Sequence, residues 1–350
     1  MNFELSDEQV MLREAARGTL GRHDTLAAAR AALDGAPLPD FWPAAIDAGW
    51  PGLLSDEAAG GAGLDVFDAM IVAQECGRRL ASVGLLGHFL ATYLDPHDPR
   101  LAAGEVRGAA AVAPPPFEDA PRAEVDGDDA ILTGTLEYVP DAPGADVLVV
   151  VALACAGPVA VRLEGVEVEP LVRYDATRPL GNVTLDGARG GVLPAAPERL
   201  ADAWHLGQAL VAAEAIGATE APLEMAVEYA KERTAFGRQI GSYQAVKHQL
   251  VEILRHIETA RALSYYAGWA AEDRPEEFGL AANAARFAAE RALDYGARTV
   301  IAVHGGIGNT WEHDAPLYFR RAQLSRRLLG GTHDATDRVA ERTMSGAVVA

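Results

Sequence analysis

Cysteine is almost absent: Cys76 and Cys155 are the only two in 350 residues. Two thiols cannot build a disulfide framework or a four-cysteine zinc site, and they read as packed thiols in a reducing cytosol. Positive charge is scarce as well. Thirty Lys and Arg stand against fifty Asp and Glu, a formal charge of −20. That balance argues against a nucleic-acid or anionic-membrane surface, because phosphate backbones reward clustered cations. An anionic ligand in a local basic pocket stays open. The N-terminus has no basic segment followed by an apolar core, so no signal peptide is expected. The longest apolar run, Val147 to Val161, is interrupted by Gly157-Pro158 and is too short to span a bilayer. It reads as two strands around a turn. These absences predict a cytoplasmic protein with no nucleic-acid or membrane partner.

Catalytic signals of other classes are missing too. There is no Gly-x-Ser-x-Gly elbow for a serine hydrolase. His304, His313 and His333 are spaced for no common metal site, so no metal is expected. Gly61-x-Gly63 lacks a third glycine and a preceding strand, so it reads as a tight turn between helices rather than a dinucleotide loop.

What is present divides into three textures. Residues 1–104 read as helical. Ser6 and Gln9 have the spacing of a capping box, and Val10, Met11, Leu12, Ala15, Ala16 and Leu20 follow at helical steps. A second helix is signalled by Pro39-Asp40-Phe41-Trp42-Pro43 and stops at Gly49-Trp50-Pro51-Gly52. Asp65 to Leu80 and Ser82 to Tyr93 follow as helices. Residues 105–197 carry prolines, Asp-Gly pairs and short Val/Ile/Leu runs, which signal antiparallel strands in a small barrel or sandwich. The predicted strands are 123–125, 130–139, 147–153, 159–163, 166–173 and 182–185, with turns at Asp126-Gly127 and Asp186-Gly187. Residues 198–350 read as four long helices, about 200–233, 242–272, 275–303 and 315–344. In the second, Tyr243, Val246, Leu250, Ile253, Leu254 and Ile257 form one apolar stripe, and dense alanine suits a close-packed bundle.

One stretch, residues 231–248, concentrates unusual chemistry: Arg233-Thr-Ala-Phe236-Gly237, then Gly241-Ser-Tyr-Gln244. Each residue has an ordinary reading. Arg233 complements a helix C-terminal dipole, Phe236 is a core aromatic, and Gln244 is an exposed helix start. His304-Gly305-Gly306-Ile307-Gly308-Asn309-Thr310 likewise reads as a helix C-cap, or as a loop whose missing Cβ atoms admit a phosphate.

Together these motifs resemble the acyl-CoA dehydrogenase family of flavoproteins over essentially the full length. Phe3-x-Leu-Ser-x-Glu-Gln9, Gly49-Trp50-x-Gly52-Leu53 and Gly60-Gly61-x-Gly63-Leu64 are similar to that family's N-terminal domain, and Leu132-Thr133-Gly134 and Val139-Pro140 to its middle domain. The resemblance implies an α+β fold: an N-terminal helical domain, a middle β-barrel and a C-terminal four-helix bundle. It implies FAD as cofactor, with Arg233 on the pyrophosphate, Phe236 packed on the flavin nucleotide, Gln244 hydrogen-bonded to it, and Gly305, Gly306 and Gly308 forming a loop against it. In this family the FAD site spans a subunit interface. The implied partners are a CoA thioester substrate and an electron-transfer flavoprotein or similar acceptor.

The family's catalytic base is a glutamate in one of two places. One precedes a Gly-Thr near the end of the fourth bundle helix and falls here on Leu329 or Gly330. The other lies twenty-six residues before the arginine and falls on Gly207. Neither can accept a proton. Glu214, seven residues after Gly207 and on the same helical face, is a spare carboxylate, though its ordinary reading as a buried structural glutamate paired within the bundle is the favoured one. Asp334 is a second candidate. Where relatives carry Thr-Glu-Pro-Gly in the middle domain, this chain has Val112-Ala-Pro-Pro-Pro116, which removes N–H donors. A chain with the arginine motif and no base resembles the base-less subunit of actinobacterial heterotetramers that process steroid side chains or other bulky CoA thioesters. The alternatives are a repurposed homo-oligomeric flavoenzyme and a non-catalytic binding homologue.

Overall fold

The computed structural model describes residues 4–172 and 174–345. Phe3 of the opening motif and Arg173 of a predicted strand lie outside them. The chain runs α1 (Asp7–Gly21), α2 (Thr25–Leu33), α3 (Trp42–Asp47), α4 (Val66–Arg79), α5 (Leu85–Leu94) and α6 (Pro99–Ala102). Strands follow: β1 (Gly108–Ala111), β2 (Arg122–Asp126), β3 (Asp129–Pro140), β4 (Val147–Ala154), β5 (Gly157–Glu164), β6 (Glu169–Pro170) and β7 (Leu180–Leu193). Then come α7 (Pro197–Glu232), the small strands β8 (Thr234–Ala235) and β9 (Arg238–Gln239), α8 (Gln244–Asp273), α9 (Pro275–His304), α10 (Ala315–Ser325) and α11 (Gly331–Met344). Two compact units result: residues 1–39, 70–81 and 208–350 form one, and residues 40–69 and 82–207 the other.

The second unit is built on the strands. β2 and β3 form the hairpin expected at Asp126-Gly127; β4 and β5 form the second expected hairpin, but its turn falls at residues 155–156 and Gly157-Pro158 belong to β5. The sheet runs β4-β2-β3-β7-β5 and returns to β4, so five strands close into a ring. β1 and β2 share one edge of β4, and the β2–β4 closure rests on the single pair Arg122 and Leu153. Leu132, Val150, Val161, Leu163, Val183 and Leu185 fill the interior. The Asp186-Gly187 turn does not form. β3 and β7 remain paired straight through it, with Thr133 opposite Asp186 and Leu132 opposite Ala188. Gly187 is the extra residue of a bulge, its φ of +69° open to glycine at no steric cost. The predicted strand at 166–173 shrinks to β6. α5 is buried nearly all round, and His88 joins it to its surroundings: Gly108 N–H donates to Nδ1 at 3.0 Å and Nε2 lies 3.2 Å from Pro51 O.

The other unit is helical. Ser6 and Gln9 make the reciprocal capping box that opens α1. α4 and α7 cross with their backbones in contact. A Cβ on Gly77 would stand 2.0 Å from Glu214 O, and one on Gly217 would stand 1.9 Å from Gln74 O. Ile253 and Ile257 of the predicted stripe are buried in the core, but Leu254 is 46% exposed. The fourth predicted helix is two. Leu329 and Gly330 have positive φ, which no right-handed helix interior contains, and with Gly331, also at positive φ where α11 starts, they break it into α10 and α11.

Candidate functional site

The Arg233 motif folds as a miniature hairpin at the end of α7. Arg233 N–H still donates to Tyr229 O at 2.8 Å, and Arg233 O accepts from Ile240 N–H at 2.8 Å. Between them Thr234 pairs with Gln239 and Ala235 with Arg238, leaving Phe236 and Gly237 as a two-residue turn. Both turn residues have φ above zero, +52° and +78°, as the tight hairpin twist demands. For glycine this is free; for phenylalanine it costs roughly 1 kcal/mol or more. Phe236 is 97% exposed on this turn, so it is no core aromatic within this chain.

The surroundings fix that turn. Tyr243 donates its hydroxyl to Ala235 O at 3.1 Å, and the Arg238 guanidinium lies 4.1 Å from the Tyr243 ring centroid. Ser242 Oγ donates to Gln239 O at 2.7 Å. Gly241 lets this segment lie against the last turn of α7, where a Cβ would sit 2.8 Å from Ala230 O. Gln244 opens α8 with its side chain exposed, and the Arg233 side chain is exposed too. Arg238 was not singled out in the sequence, and Tyr243 was read as the start of the apolar stripe of α8 rather than as a brace for the turn.

The glycine loop lies in the same unit and is tied to the same helix. Tyr229, one turn before Arg233, stacks on His304 with ring centroids 4.5 Å apart, and its hydroxyl stands 3.5 Å from His304 O. His304 Nδ1 is 2.8 Å from Val300 O, and its ring packs against His313 at 4.1 Å. Burial pushes both imidazoles below the usual histidine value, and for His313 the neighbouring His304 adds to it. Gly305 caps α9 at φ +65° and ψ −133°, a positive-φ state that glycine tolerates but not the left-handed helical one the C-cap reading expects. Gly308 is buried, and a Cβ there would meet Ile301 O at 2.6 Å, so packing alone requires a glycine. Gly308, Asn309 and Thr310 turn their amides inward, onto Gly305, Gly306 and Ile307 carbonyls. The exposed face of the loop is therefore Gly305 to Ile307, and nothing lies within 4 Å of a Cβ built on Gly305 or Gly306. This loop follows the negative end of a helix dipole, so it can hold an anion only through its own N–H groups.

Gln208, next to Gly207, donates Nε2–H to Leu329 O at 3.0 Å. Gly207 is buried, Leu329 half-buried and Gly330 exposed. Glu214 is 7% exposed inside the helical unit. Asp334 is engaged by Arg338, with Nε 2.7 Å from Oδ2. Among the described residues no group of three His, Cys, Asp or Glu side chains could hold a metal ion, and no helix is long and apolar enough to cross a membrane.

An exposed arginine, an aromatic ring on a preset turn, a helix-start glutamine and an open glycine loop are a donor set that fits a phosphate-bearing aromatic nucleotide such as FAD.

Comparison with known proteins agrees in kind. The profile described as "Acyl-CoA dehydrogenase, N-terminal domain" matches residues 6–94, and that described as "Acyl-CoA dehydrogenase, C-terminal domain" matches residues 200–344. Acyl-CoA dehydrogenase IpdE2 of Mycobacterium tuberculosis is 35% identical over 338 residues, covering 95% of this chain and 96% of that one. Acyl-CoA dehydrogenase FadE34 of the same organism is 34% identical over 98% of this chain, but the match spans only 49% of FadE34. Among solved structures, the Tcur3481–Tcur3483 steroid ACAD, a G363A variant, superposes with a TM-score of 0.88 at 28% identity, covering 97% of this chain and 99% of that one. The ChsE4–ChsE5 complex of Mycobacterium tuberculosis gives 0.86 at 26% identity, covering 98% and 99%.

Proposed function

This chain belongs to the acyl-CoA dehydrogenase family, and we propose that it serves as the FAD-holding, base-less subunit of a heteromeric enzyme that α,β-dehydrogenates a bulky CoA thioester of the steroid or lipid type. The observation that carries this reading is the contrast between the two sites. The Arg233–Gln244 hairpin is built and preset, with Phe236 held outward on a strained turn. Gly207, Leu329 and Gly330, the positions at which the resemblance puts a base, carry no carboxylate. Bound FAD would supply the hydride acceptor. Arg233 would hold its pyrophosphate, Phe236 would pack on the nucleotide, and Gln244 and the exposed face of Gly305 to Ile307 would complete the cradle. The glutamate that takes the α-proton would come from a homologous partner subunit, and the electrons would pass to an electron-transfer flavoprotein or a similar acceptor.

Relatives support the heteromeric reading. Both superposed structures are named as pairs of proteins, and FadE34 carries about as much chain again beyond the part matched here. The test is the visible spectrum and acyl-CoA oxidation of the purified chain, alone and co-expressed with a homologue that carries the glutamate. We expect flavin absorbance and turnover only in the pair. Stoichiometric FAD and steady oxidation of acyl-CoA thioesters by the chain alone would overturn the proposal.

A further inference from the structure

Gly305 and Gly306 contribute no packing of their own, since nothing lies within 4 Å of a Cβ built on either. Successive glycines also lose the most backbone freedom on ordering. The loop they open is ordered by the contact of Gly308 with the last turn of α9 and by its two ends, each of which carries a histidine. His304, the last residue of α9, is 3% exposed, and His313 is half-buried just ahead of α10. Their rings meet with centroids 4.1 Å apart, which pinches residues 305–312 into a loop closed at its base. Each ring is fixed by backbone. Val300 O can only accept, so His304 Nδ1 carries the proton toward it at 2.8 Å. Ala315 N–H can only donate, so His313 Nδ1 is the bare nitrogen that receives it at 3.1 Å. Next to His313, Asp314 pairs with Arg30 of α2.

A third ring joins this pinch to the arginine hairpin. Tyr229 is half-buried on α7, one turn before Arg233, and stacks on His304 at 4.5 Å with 30° between the planes. Tyr229 O accepts from Arg233 N–H at 2.8 Å, so the residue that carries the ring also anchors the start of the hairpin. At the hairpin's other end Ile240 N–H closes onto Arg233 O. One column of rings, Tyr229, His304 and His313, therefore ties together the end of α7, the end of α9 and the approach to α10. The Tyr229 hydroxyl adds little, because 3.5 Å from His304 O is at the limit of a hydrogen bond. Stacking carries the joint.

We propose that Tyr229, His304 and His313 are positioning residues, and that their column couples the glycine loop to the Arg233 hairpin so that the two segments open and close together. None of the three rings has to touch a ligand for this. With one ring removed, the loop keeps its Gly308 contact and the hairpin its own strand pair, but each moves without the other. The effect on a bound dinucleotide rests on the functional reading above, in which FAD engages both segments. The coupling itself needs no ligand.

Hydrogen exchange of the full chain, in the assembly in which it purifies, tests the coupling without any activity measurement. The stabilisation typical of an aromatic pair corresponds to about two- to tenfold in an opening equilibrium. Tyr229→Leu, which removes the stack, should speed exchange at the Gly308, Asn309 and Thr310 amides by that factor. Tyr229→Phe, which keeps the ring, should restore the parent rate. His313→Leu cuts the column at the end remote from the hairpin, and should still speed exchange at the Ile240 amide by about twofold or more. The hairpin is exposed and exchanges by local opening, which a change in global stability alone would not touch. The two leucine substitutions combined should speed Ile240 no more than Tyr229→Leu alone, because the column is already cut. Loop exchange unchanged in Tyr229→Leu, Ile240 exchange unchanged in His313→Leu, or full additivity of the two at Ile240 would each overturn the proposal. If Tyr229→Leu does not fold, His313→Leu decides alone. In an assembly that binds FAD, Tyr229→Leu should weaken its retention by the same factor and Tyr229→Phe should restore it. Failure to bind FAD would strike the functional reading and leave the exchange result untouched.

Discussion

Gly217→Ala puts one methyl group where the α4–α7 crossing has no room. The added Cβ would stand 1.9 Å from Gln74 O and 2.8 Å from Arg78 N, both backbone atoms, so no side-chain rotation relieves the overlap. The helices must part by more than ~1 Å to restore a normal contact. Two effects compete. Alanine stabilises a helix interior over glycine by about 0.5–1 kcal/mol, whereas forced overpacking costs about 1–3 kcal/mol. The overlap here is with rigid backbone, so the cost wins, and we expect a net loss of about 1–2 kcal/mol. For a unit of this size that lowers the melting midpoint by roughly 2–4 °C per kcal/mol. Gly77→Ala, whose Cβ would stand 2.0 Å from Glu214 O, should behave alike. The double variant should lose less than the sum, because the first methyl already pries the helices apart. Gly18→Ala is the control: Gly18 lies exposed within α1 with nothing within 4 Å of its Cβ, and should gain stability. Urea and thermal unfolding of the four variants decide the matter. If Gly217→Ala is as stable as Gly18→Ala, the backbone contact is not real and the reasoning fails.

Other outcomes follow from the same geometry. Arg233→Ala and Phe236→Ala should each weaken flavin retention at least tenfold, about 1.4 kcal/mol, in equilibrium titration of the assembled enzyme, while unfolding midpoints stay put because both side chains are exposed. Acid should weaken the strand unit through His88, whose buried ring is pushed down to about 4 by desolvation. The folded state then refuses a proton that the unfolded chain takes below about 6.5, so stability falls as pH drops from 6.5 toward 4, by about 3 kcal/mol in all. Urea midpoints against pH should show this slope in the parent protein and lose it in His88→Gln. Gly330→Glu, meant to install a base, should cost stability, because the φ of +76° opposes any side chain and its Cβ would press 3.0 Å from Asp334 Oδ2. A stable and active Gly330→Glu enzyme would contradict that account.

The α+β architecture and the capping box at Ser6 were readable because local patterning and long-range packing agree there. The same dipeptide shows where this agreement ends. Asp126-Gly127 makes a hairpin, while Asp186-Gly187 is absorbed as a bulge, because β3 offers β7 continuous pairing on both sides of it. The pair Gly330-Gly331 was read as part of a motif, and its power to break a helix went unused. α2 was missed although Asp24 caps it through Ala27 N–H, since one short alanine-rich segment has little periodicity to show. In the candidate site, the motif order put forward Arg233, Phe236 and Gln244, but only three dimensions reveal the Tyr243 brace and the Tyr229–His304 stack. The buried pair Arg286 and Glu290 of α9 was invisible for a different reason. Charged residues in a helix read as solvated surface until burial says otherwise.

The braced turn at Phe236 also bears on the tempo of capture. Under the proposed function, a ring held outward by β8, β9 and Tyr243 would already stand in the competent pose, and an arriving nucleotide would meet no waiting step. Loosening the brace, as in Tyr243→Phe, would thin that population and slow association in proportion. A nucleotide already seated would leave no sooner than before.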